Sequence, residues 1–216
     1  MADKKFTFYE NILSESLIEE LHNYYCGNTL NLSAKQHGQD VVDWYLASDA
    51  RGVVPATVNL TSDHQMRILD ELYSNKNLPL YKNKKMLRGL GFPMRINNFL
   101  PGGTLPPHTD TVWASLTLFL NKEWKEEWGG QFVWYKDEDT EQENEIAYTP
   151  KYNCGMIDVY DDMTVGAMHR VLEVTHDIER CTVQAFFGLK NTGGQIGQIP
   201  DKYKHLLPKN VTLPYK

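Results

Sequence analysis

The second half of the chain consists of short apolar or alternating runs, and this series restricts the fold more than any other feature. Each run has the length of one β-strand, and glycine, proline, asparagine or aspartate separates it from the next. Such a series is typical of a β-sandwich or a closed jelly roll. The runs are residues 94–99, 113–120, 130–135, 155–160, 167–174 and 180–189.

The first two-fifths of the chain carry helical signals. Residues 16–27 and 62–73 each begin with the spacing of a capping box and continue with apolar residues at helical spacing. Between them, the mixed stretch 28–58 leaves open whether Trp44 and Tyr45 belong to a strand or a lid. The expected apolar faces are Leu17, Leu21 and Tyr24 in the first helix, and Met66, Leu69, Leu72 and Tyr73 in the second.

Helices laid against one face of a sheet make a mainly β fold of the α+β class. A length of 216 residues fits a single domain, 1–216, with no repeat or linker. We expect a helical support over about 1–86, a jelly-roll core over about 87–190, and a tail over 191–216. The acidic stretch 137–145 is expected to be an exposed loop.

Charge and cysteine usage narrow the partners and the compartment. The net charge is −6 and no long Lys/Arg block occurs, so nucleic acid is not an expected partner. The three cysteines, Cys26, Cys154 and Cys181, are far apart, which favours free or buried thiols in a reducing compartment. No signal peptide or membrane-spanning run is present in the sequence. We therefore predict a cytoplasmic protein that does not bind a membrane; the sequence does not define its oligomeric state.

The segment around His108 and Asp110 carries the first chemical signal. Residues two apart in a strand project to the same face, so one imidazole and one carboxylate can point into a barrel together. A second imidazole would complete a facial triad for Fe(II), leaving adjacent positions open for a chelating co-substrate and dioxygen. Two such residues often occur by chance, and a strand-end pair with local hydrogen bonds is the structural alternative.

The third ligand is either His169 or His176, and Arg180 favours the first. Arg180, Thr182 and Gln184 share one face of a predicted strand, and a buried guanidinium needs an anion such as a dicarboxylate. His176 is only four residues from Arg180, too close to hold the metal while Arg180 holds the far end of the same ligand. We therefore favour His169. The alternative for Arg180 is a structural ion pair with Asp158, Glu173 or Glu179.

Several motifs in a fixed order make the C-terminal half resemble the 2-oxoglutarate/Fe(II) oxygenase superfamily, and most of all its prolyl-4-hydroxylase-like branch. The likeness runs from about Arg95 to Gly188. Its motifs are Asn98–Gly103, His108-Thr109-Asp110, Leu116–Asn121, Trp124, Trp128-Gly129-Gly130, His169-Arg170-Val171 and Arg180.

The resemblance implies a double-stranded β-helix with iron between its sheets. It implies Fe(II), 2-oxoglutarate as co-substrate and dioxygen, with ascorbate as a further cofactor, and hydroxylation of an unactivated C–H bond with release of succinate and CO2. The metal ligands it implies are His108, Asp110 and His169. The co-substrate residues that we assign are Arg180, Thr182, Asn98, Thr117 and Gln184.

This chain departs from the usual pattern of the branch at two places. Phe99 stands where a tyrosine is usual, and the tyrosine common near Leu118 or Phe119 is missing. Either Thr117, Thr182 or Gln184 replaces these hydroxyls, or the pocket is drier and depends more on Arg180.

The resemblance favours a peptidyl proline as substrate, with a free amino acid or another small metabolite as the alternative. Two further functions remain open at this point. One is oxidative demethylation of nucleic acid bases, which the negative charge disfavours. The other is a non-catalytic, cupin-like protein that binds a metal or ligand, which the complete set of predicted ligands disfavours.

Overall fold

The computed structural model describes residues 7–47, 56–87, 94–108, 110, 112–135, 145–159 and 168–187. Within these ranges the helices are α1 (Glu15–Tyr25), α2 (Thr29–His37), α3 (Gln39–Ala47), α4 (Ser62–Ser74) and α5 (Pro79–Leu87), with a short 3-10 helix at Glu126–Trp128. The strands are β1 (Thr7–Glu10), β2 (Ala56–Asn59), β3 (Met94–Phe99), β4 (Leu105–His108), β5 (Ala114–Phe119), β6 (Phe132–Tyr135), β7 (Glu145–Tyr148), β8 (Cys154–Val159), β9 (His169–Val171) and β10 (Arg180–Phe187).

The strands form two antiparallel sheets that face each other. The large sheet has the order β1-β8-β5-β10-β3-β2, and the small sheet has the order β4-β9-β6-β7. Phe119 and Met156 of the large sheet pack against Phe132 and Trp134 of the small one. This arrangement confirms the predicted α+β fold with a jelly-roll core.

The outer face of the large sheet is covered by helices. Alternate residues of its strands, including Ile96, Leu118 and Val183, share one buried cluster with Leu21 of α1 and Leu72 of α4. The residues between them point towards the small sheet, because successive side chains of a strand alternate between faces. The helices therefore close one side of the sheet and leave the other side for a site.

The two predicted helices exist, but their N-cap residues lie two residues and one residue before the expected ones. Ser14 precedes α1, and Thr61 precedes α4, where its Oγ1 accepts a hydrogen bond from the His64 amide. The expected apolar faces are also partly wrong. Tyr24 and Met66 are 43% and 59% exposed, because the sheet contacts a neighbouring stripe of each helix. That stripe includes Ile18, Tyr25 and Ile68, which are buried.

The undecided region between the two helices is mostly helical in its described residues, 28–47 and 56–58. Trp44 and Tyr45 both lie in α3, so the strand alternative for them is wrong. Tyr45 packs beside Ala56 and Leu100, whereas Trp44 is exposed. No helix among the described residues is long and apolar enough to cross a membrane.

Four strands, β1, β2, β4 and β7, lie outside the six predicted runs. The β4 strand contains Pro106 and Pro107, which lack the amide hydrogens of a regular ladder, and its register with β9 shifts between Leu105 and His108. Of the predicted acidic loop, residues 137–144 lie outside the described residues and Glu145 opens β7. The predicted tail, 191–216, also lies outside them.

Candidate metal centre and anion pocket

His108, Asp110 and His169 meet at one point of the small sheet. His108 ends β4 and is paired in register with His169, which opens β9. The two rings lie 4.2 Å apart between centroids, and His169 Nε2 is 3.5 Å from Asp110 Oδ2. One potential ligand atom from each residue lies within 4.8 Å of the other two. Both histidines are buried.

The residues meet for a different reason from the one that alternation along a strand predicts. The β4 strand ends at His108, so Asp110 approaches from the following loop rather than from the strand. The pair that shares a strand ladder is His108 and His169, on antiparallel neighbours. Spacing along one strand therefore predicted the right residues with the wrong local geometry.

The hydrogen bonding of His108 suits a metal ligand. Its Nδ1 lies 2.9 Å from the Pro106 carbonyl oxygen, to which it donates, so Nε2 keeps its lone pair. Burial, and then the neighbouring His169, lower the pKa of His108 to about 4. The imidazole is therefore neutral near pH 7, as a metal ligand must be.

His169 and His176 have different surroundings. The ring of His169 stacks on Phe132, with centroids 5.1 Å apart and planes 19° from parallel, which holds it towards His108. His176 lies in the exposed bend between β9 and β10, where its ring stacks on Trp128 at 5.3 Å. The structure thus brings His169, and not His176, to the other two residues. Two imidazoles and a carboxylate are the donor set of facial Fe(II) sites.

Arg180 opens β10 and is 1% exposed. Its Nε donates to the Gly130 carbonyl oxygen at 2.6 Å, while its Nη2 is buried without a hydrogen-bond partner. The guanidinium lies over the rings of Phe99 and Phe119, at 5.3 and 5.0 Å from their centroids. Burial lowers the pKa of Arg180 to about 9, which still leaves it charged near pH 7.

A buried cation with an unused donor calls for an anion. In the part of the chain that the structure describes, no carboxylate lies within salt-bridge distance of Arg180. The ion-pair alternative therefore has no partner there, and Glu179 instead accepts a hydrogen bond from Asn98. An added carboxylate would give Nη2 its missing acceptor.

Three of the other predicted co-substrate residues lie on the same face as Arg180. Gln184 pairs in register with Thr117, and Thr182 follows Arg180 by two residues on β10. Thr182 Oγ1 donates to the backbone carbonyl of Asn97 at 3.2 Å, and the Asn97 amide donates to Gln184 Oε1. Asn97 therefore belongs to this inner face, although it was not among the predicted residues.

Asn98 is placed on the other face of the sheet. It pairs in register with Cys181, which belongs to the core beneath the helices. The assignment of Asn98 to the pocket is therefore a one-residue error. Alternation from Phe99 would have selected Asn97 instead, because residues two apart share a face.

The pocket around Arg180 is lined by aromatic rings and a close backbone. A Cβ at Gly130 would lie 3.0 Å from both Arg180 Cδ and Trp124 Cζ2, and the φ of Gly130 is +67°. Glycine is therefore needed beside the guanidinium. Phe99 and Phe119 flank the charge, while Thr182 and Gln184 are both hydrogen-bonded to Asn97. This geometry favours a drier pocket that depends on Arg180 over one in which another polar side chain replaces the missing tyrosine hydroxyls.

The metal cluster and Arg180 lie on the two sheets that face each other, and Phe99 links them. Phe99, which touches Arg180, packs against Leu105 and Val171, on the strands that carry His108 and His169. A ligand with a chelating group at one end and a carboxylate at the other can therefore contact both. The residues fit Fe(II) with a dicarboxylate such as 2-oxoglutarate.

Comparisons with known proteins find one matching family model and several solved structures of similar fold. Residues 94–188 match the family model described as the 2OG-Fe(II) oxygenase superfamily. A comparison with curated protein sequences finds no match.

Solved structures show the fold of this chain at low sequence identity. A prolyl-4-hydroxylase from Pseudomonas putida has a TM-score of 0.57 and 17% identity, over 88% of this chain and 94% of that one. A prolyl hydroxylase from Trichoplax adhaerens, in complex with a peptide fragment of a hypoxia inducible factor oxygen degradation domain, has a TM-score of 0.56 and 16% identity. The match covers 86% of this chain and 84% of that one. A prolyl 4-hydroxylase from Phytophthora capsici has a TM-score of 0.52 and 16% identity, and the match covers 88% of this chain and 60% of that one.

Proposed function

We propose that this chain, whose residues 94–188 match the model of the 2OG-Fe(II) oxygenase superfamily, hydroxylates a peptidyl proline. The enzyme class that follows from the family is a 2-oxoglutarate-dependent dioxygenase, with Fe(II) and 2-oxoglutarate as its cofactors. In this proposal His108, Asp110 and His169 hold the iron, and Arg180 holds the far carboxylate of 2-oxoglutarate.

One observation carries the assignment of roles. Three ligand atoms of the type that binds Fe(II) lie within 4.8 Å of one another on the small sheet, and a buried guanidinium with an unused donor lies on the facing large sheet. A purely structural site would not be expected to leave a buried guanidinium nitrogen without an acceptor beside such a cluster.

The residues of the site have separate tasks in the reaction. Bound Fe(II) supplies the activation of dioxygen that couples decarboxylation of 2-oxoglutarate to hydroxylation of a C–H bond. His108 presents Nε2 because Nδ1 is held by the Pro106 carbonyl. Arg180 would hold the far carboxylate through its unpartnered Nη2, and Phe99 and Phe119 would keep water away from that contact. The inner face of the large sheet beside Arg180 is formed by Thr117, Thr182 and Gln184.

The choice of a peptidyl proline is supported by similarity rather than by a contact. Three solved structures of similar fold are prolyl hydroxylases, and one of them is in complex with a peptide fragment. The segment from Leu116 to Gly130, with its LN and WGG motifs, is also typical of that branch. A free amino acid would use the same iron and the same co-substrate pocket, and it is the alternative that the experiment must separate.

An anaerobic titration tests the proposal first at the metal. Adding Fe(II) and then 2-oxoglutarate should produce the weak visible charge-transfer band of the chelate. Its absence would contradict the assigned site. Succinate is then measured after oxygen is admitted, with proline-containing peptides, free amino acids and no substrate, and with or without ascorbate. Stimulation by free amino acids and by no peptide would contradict the peptidyl assignment.

A further inference from the structure

Arg95 is a charged residue of the inner face that none of the roles above uses. It lies on β3 two residues before Asn97, and it pairs in register with Gln184 of β10. Gln184 in turn pairs with Thr117 of β5. Arg95 therefore stands on the wall that faces the metal cluster, at a different level from Arg180.

The charged end of Arg95 lies at the same end of β10 as the loop that carries Asp110. Its guanidinium carbon is 5.5 Å from the centre of the Phe186 ring. On that ring also packs Val112, two residues after Asp110. The Trp113 amide donates to the Phe187 carbonyl at 2.9 Å, which holds the loop to this end of the strand.

Arg95 lies too far along the sheet to bind the same co-substrate molecule as Arg180. Arg180 and Gln184 are four residues apart on one strand, which corresponds to roughly 13 Å. The guanidinium of Arg95 extends from the level of Gln184 towards Phe186, further from Arg180. A five-carbon dicarboxylate that reaches Arg180 does not span this distance, so Arg95 faces the part of the space left for a substrate.

We propose that Arg95 determines substrate specificity by pairing with a carboxylate of the substrate on the open side of the metal cluster. The inference rests on the proposed function and deepens it by naming the charge of the substrate. Arg95 is half-buried, so a ligand can reach it, and its planar fork binds a carboxylate in two places. That carboxylate belongs to an acidic residue beside a peptidyl proline or to a free amino acid.

Another charged side chain of this inner face is in a different position. Asp158 pairs in register with Ser115, and it lies on β8 with β5 and β10 between it and β3. The inner face therefore carries a guanidinium on β3 and a carboxyl group on β8. The preference for a carboxylate should depend on where that group lies, not on net charge alone.

The test uses matched pairs that differ only in charge. One set is a capped proline peptide with Glu or Gln directly before or after the proline; the other is L-proline and L-prolinamide. Binding to the protein loaded with Fe(II) and 2-oxoglutarate is measured by calorimetry without oxygen. The wild-type protein should bind a carboxylate member about tenfold more tightly than its amide. Preference in the peptide pairs, or in the proline pair alone, identifies the source.

Variants at Arg95 should change this preference for a carboxylate and leave the binding of 2-oxoglutarate unchanged. Arg95→Gln should abolish it, Arg95→Lys should retain part of it, and Arg95→Glu should favour a peptide with Lys in place of Glu. Arg67→Gln is the control, because Arg67 carries the same charge on α4 and pairs with Glu20 at 2.8 Å. It should keep the wild-type preference.

Two results would overturn the inference: no carboxylate preference in any pair for the wild-type protein, including no binding at all, or an unchanged preference in Arg95→Gln. Failure of the proposed function has a different signature. It removes the charge-transfer band and the succinate formed without substrate in the wild-type protein, whereas loss of the Arg95 contact leaves both intact.

Discussion

At the scale of single residues, the site depends on which polar atoms the fold leaves without a partner. His108 has one ring nitrogen held by a carbonyl and one available. Arg180 has Nε held by Gly130 and Nη2 buried without an acceptor. Each residue is fixed through one atom and presents another, which is how a rigid protein prepares a site for a metal or an anion.

Removing any member of the cluster should abolish iron-dependent turnover. In metal sites, loss of a group that only supports a ligand already costs 10–100-fold, so His108→Ala, Asp110→Ala and His169→Ala should each lower turnover by more than about a hundredfold. Anaerobic Fe(II) binding and succinate formation measure this loss. His176→Ala is the matched control, since His176 stacks on Trp128 outside the cluster. An Fe(II) affinity lost equally in His176→Ala would refute the choice of His169.

Replacing Arg180 should separate the co-substrate from the metal. A charge-assisted pair contributes about 1.5–3 kcal/mol per hydrogen bond, so Arg180→Gln should weaken 2-oxoglutarate about a hundredfold. Fe(II) affinity should stay close to that of the wild-type protein, because Arg180 does not touch the cluster residues. Two separate titrations measure the two constants. An equal loss of both would mean that Arg180 serves the fold and not the ligand.

At the scale of elements, the residues of each strand in the large sheet alternate between the helix-covered core and the face that carries the site. Along β10, Cys181, Val183 and Ala185 lie in the core beneath the helices. The residues between them, Arg180 and Thr182 among them, face the small sheet. A shift of one residue in any strand would exchange these faces, and the misplacement of Asn98 is the same error made in prediction.

The helix α4 offers a direct test of which stripe contacts the sheet. Leu72 is fully buried, whereas Met66 of the same helix is 59% exposed. Leu72→Ala should lower the free energy of unfolding by about 2–5 kcal/mol, because it leaves a cavity in the main core. Met66→Ala should change it by less than about 0.5 kcal/mol. Urea unfolding of both variants measures the difference, and similar losses would contradict the packing described for α4.

At the scale of the whole molecule, one core joins the helices to the catalytic sheet. A single cluster contains Leu21 of α1, Leu72 of α4, and Ile96 and Val183 of the large sheet. The sheet that presents Arg180 therefore depends on the N-terminal helices for the cover of its outer face. This arrangement supports our prediction that the chain is a single domain.

A single domain should unfold in one step. Circular dichroism at the far-ultraviolet wavelengths reports the helices, and tryptophan fluorescence reports mainly Trp113, Trp124, Trp128 and Trp134 of the β half. The two signals should give coincident transitions in urea, and the calorimetric and van't Hoff enthalpies should agree. Loss of the helical signal at a lower urea concentration would show that the helical region and the jelly roll are separate units.

Local chemistry along the chain was enough to predict several features. Strand-length runs predicted β3, β5, β6, β8, β9 and β10, because each alternates or stays apolar over a few residues between turn formers. The order of motifs pointed to His108, Asp110, His169 and Arg180, because residue type and spacing limit the chemistry that these side chains can perform. Strand-length runs and motifs are both properties of short stretches of sequence, so they can be recognised without knowledge of the fold.

Tertiary contacts decided the rest. The β4 strand with its two prolines gains its place from pairing with β9, and Asp110 reaches the cluster from a loop whose path no spacing rule predicts. Whether Asn97 or Asn98 faces the pocket, and whether Tyr24 or Tyr25 is buried, depends on the surface that each element meets. A sequence specifies periodicity, but the phase of that periodicity is chosen by the partner that buries it.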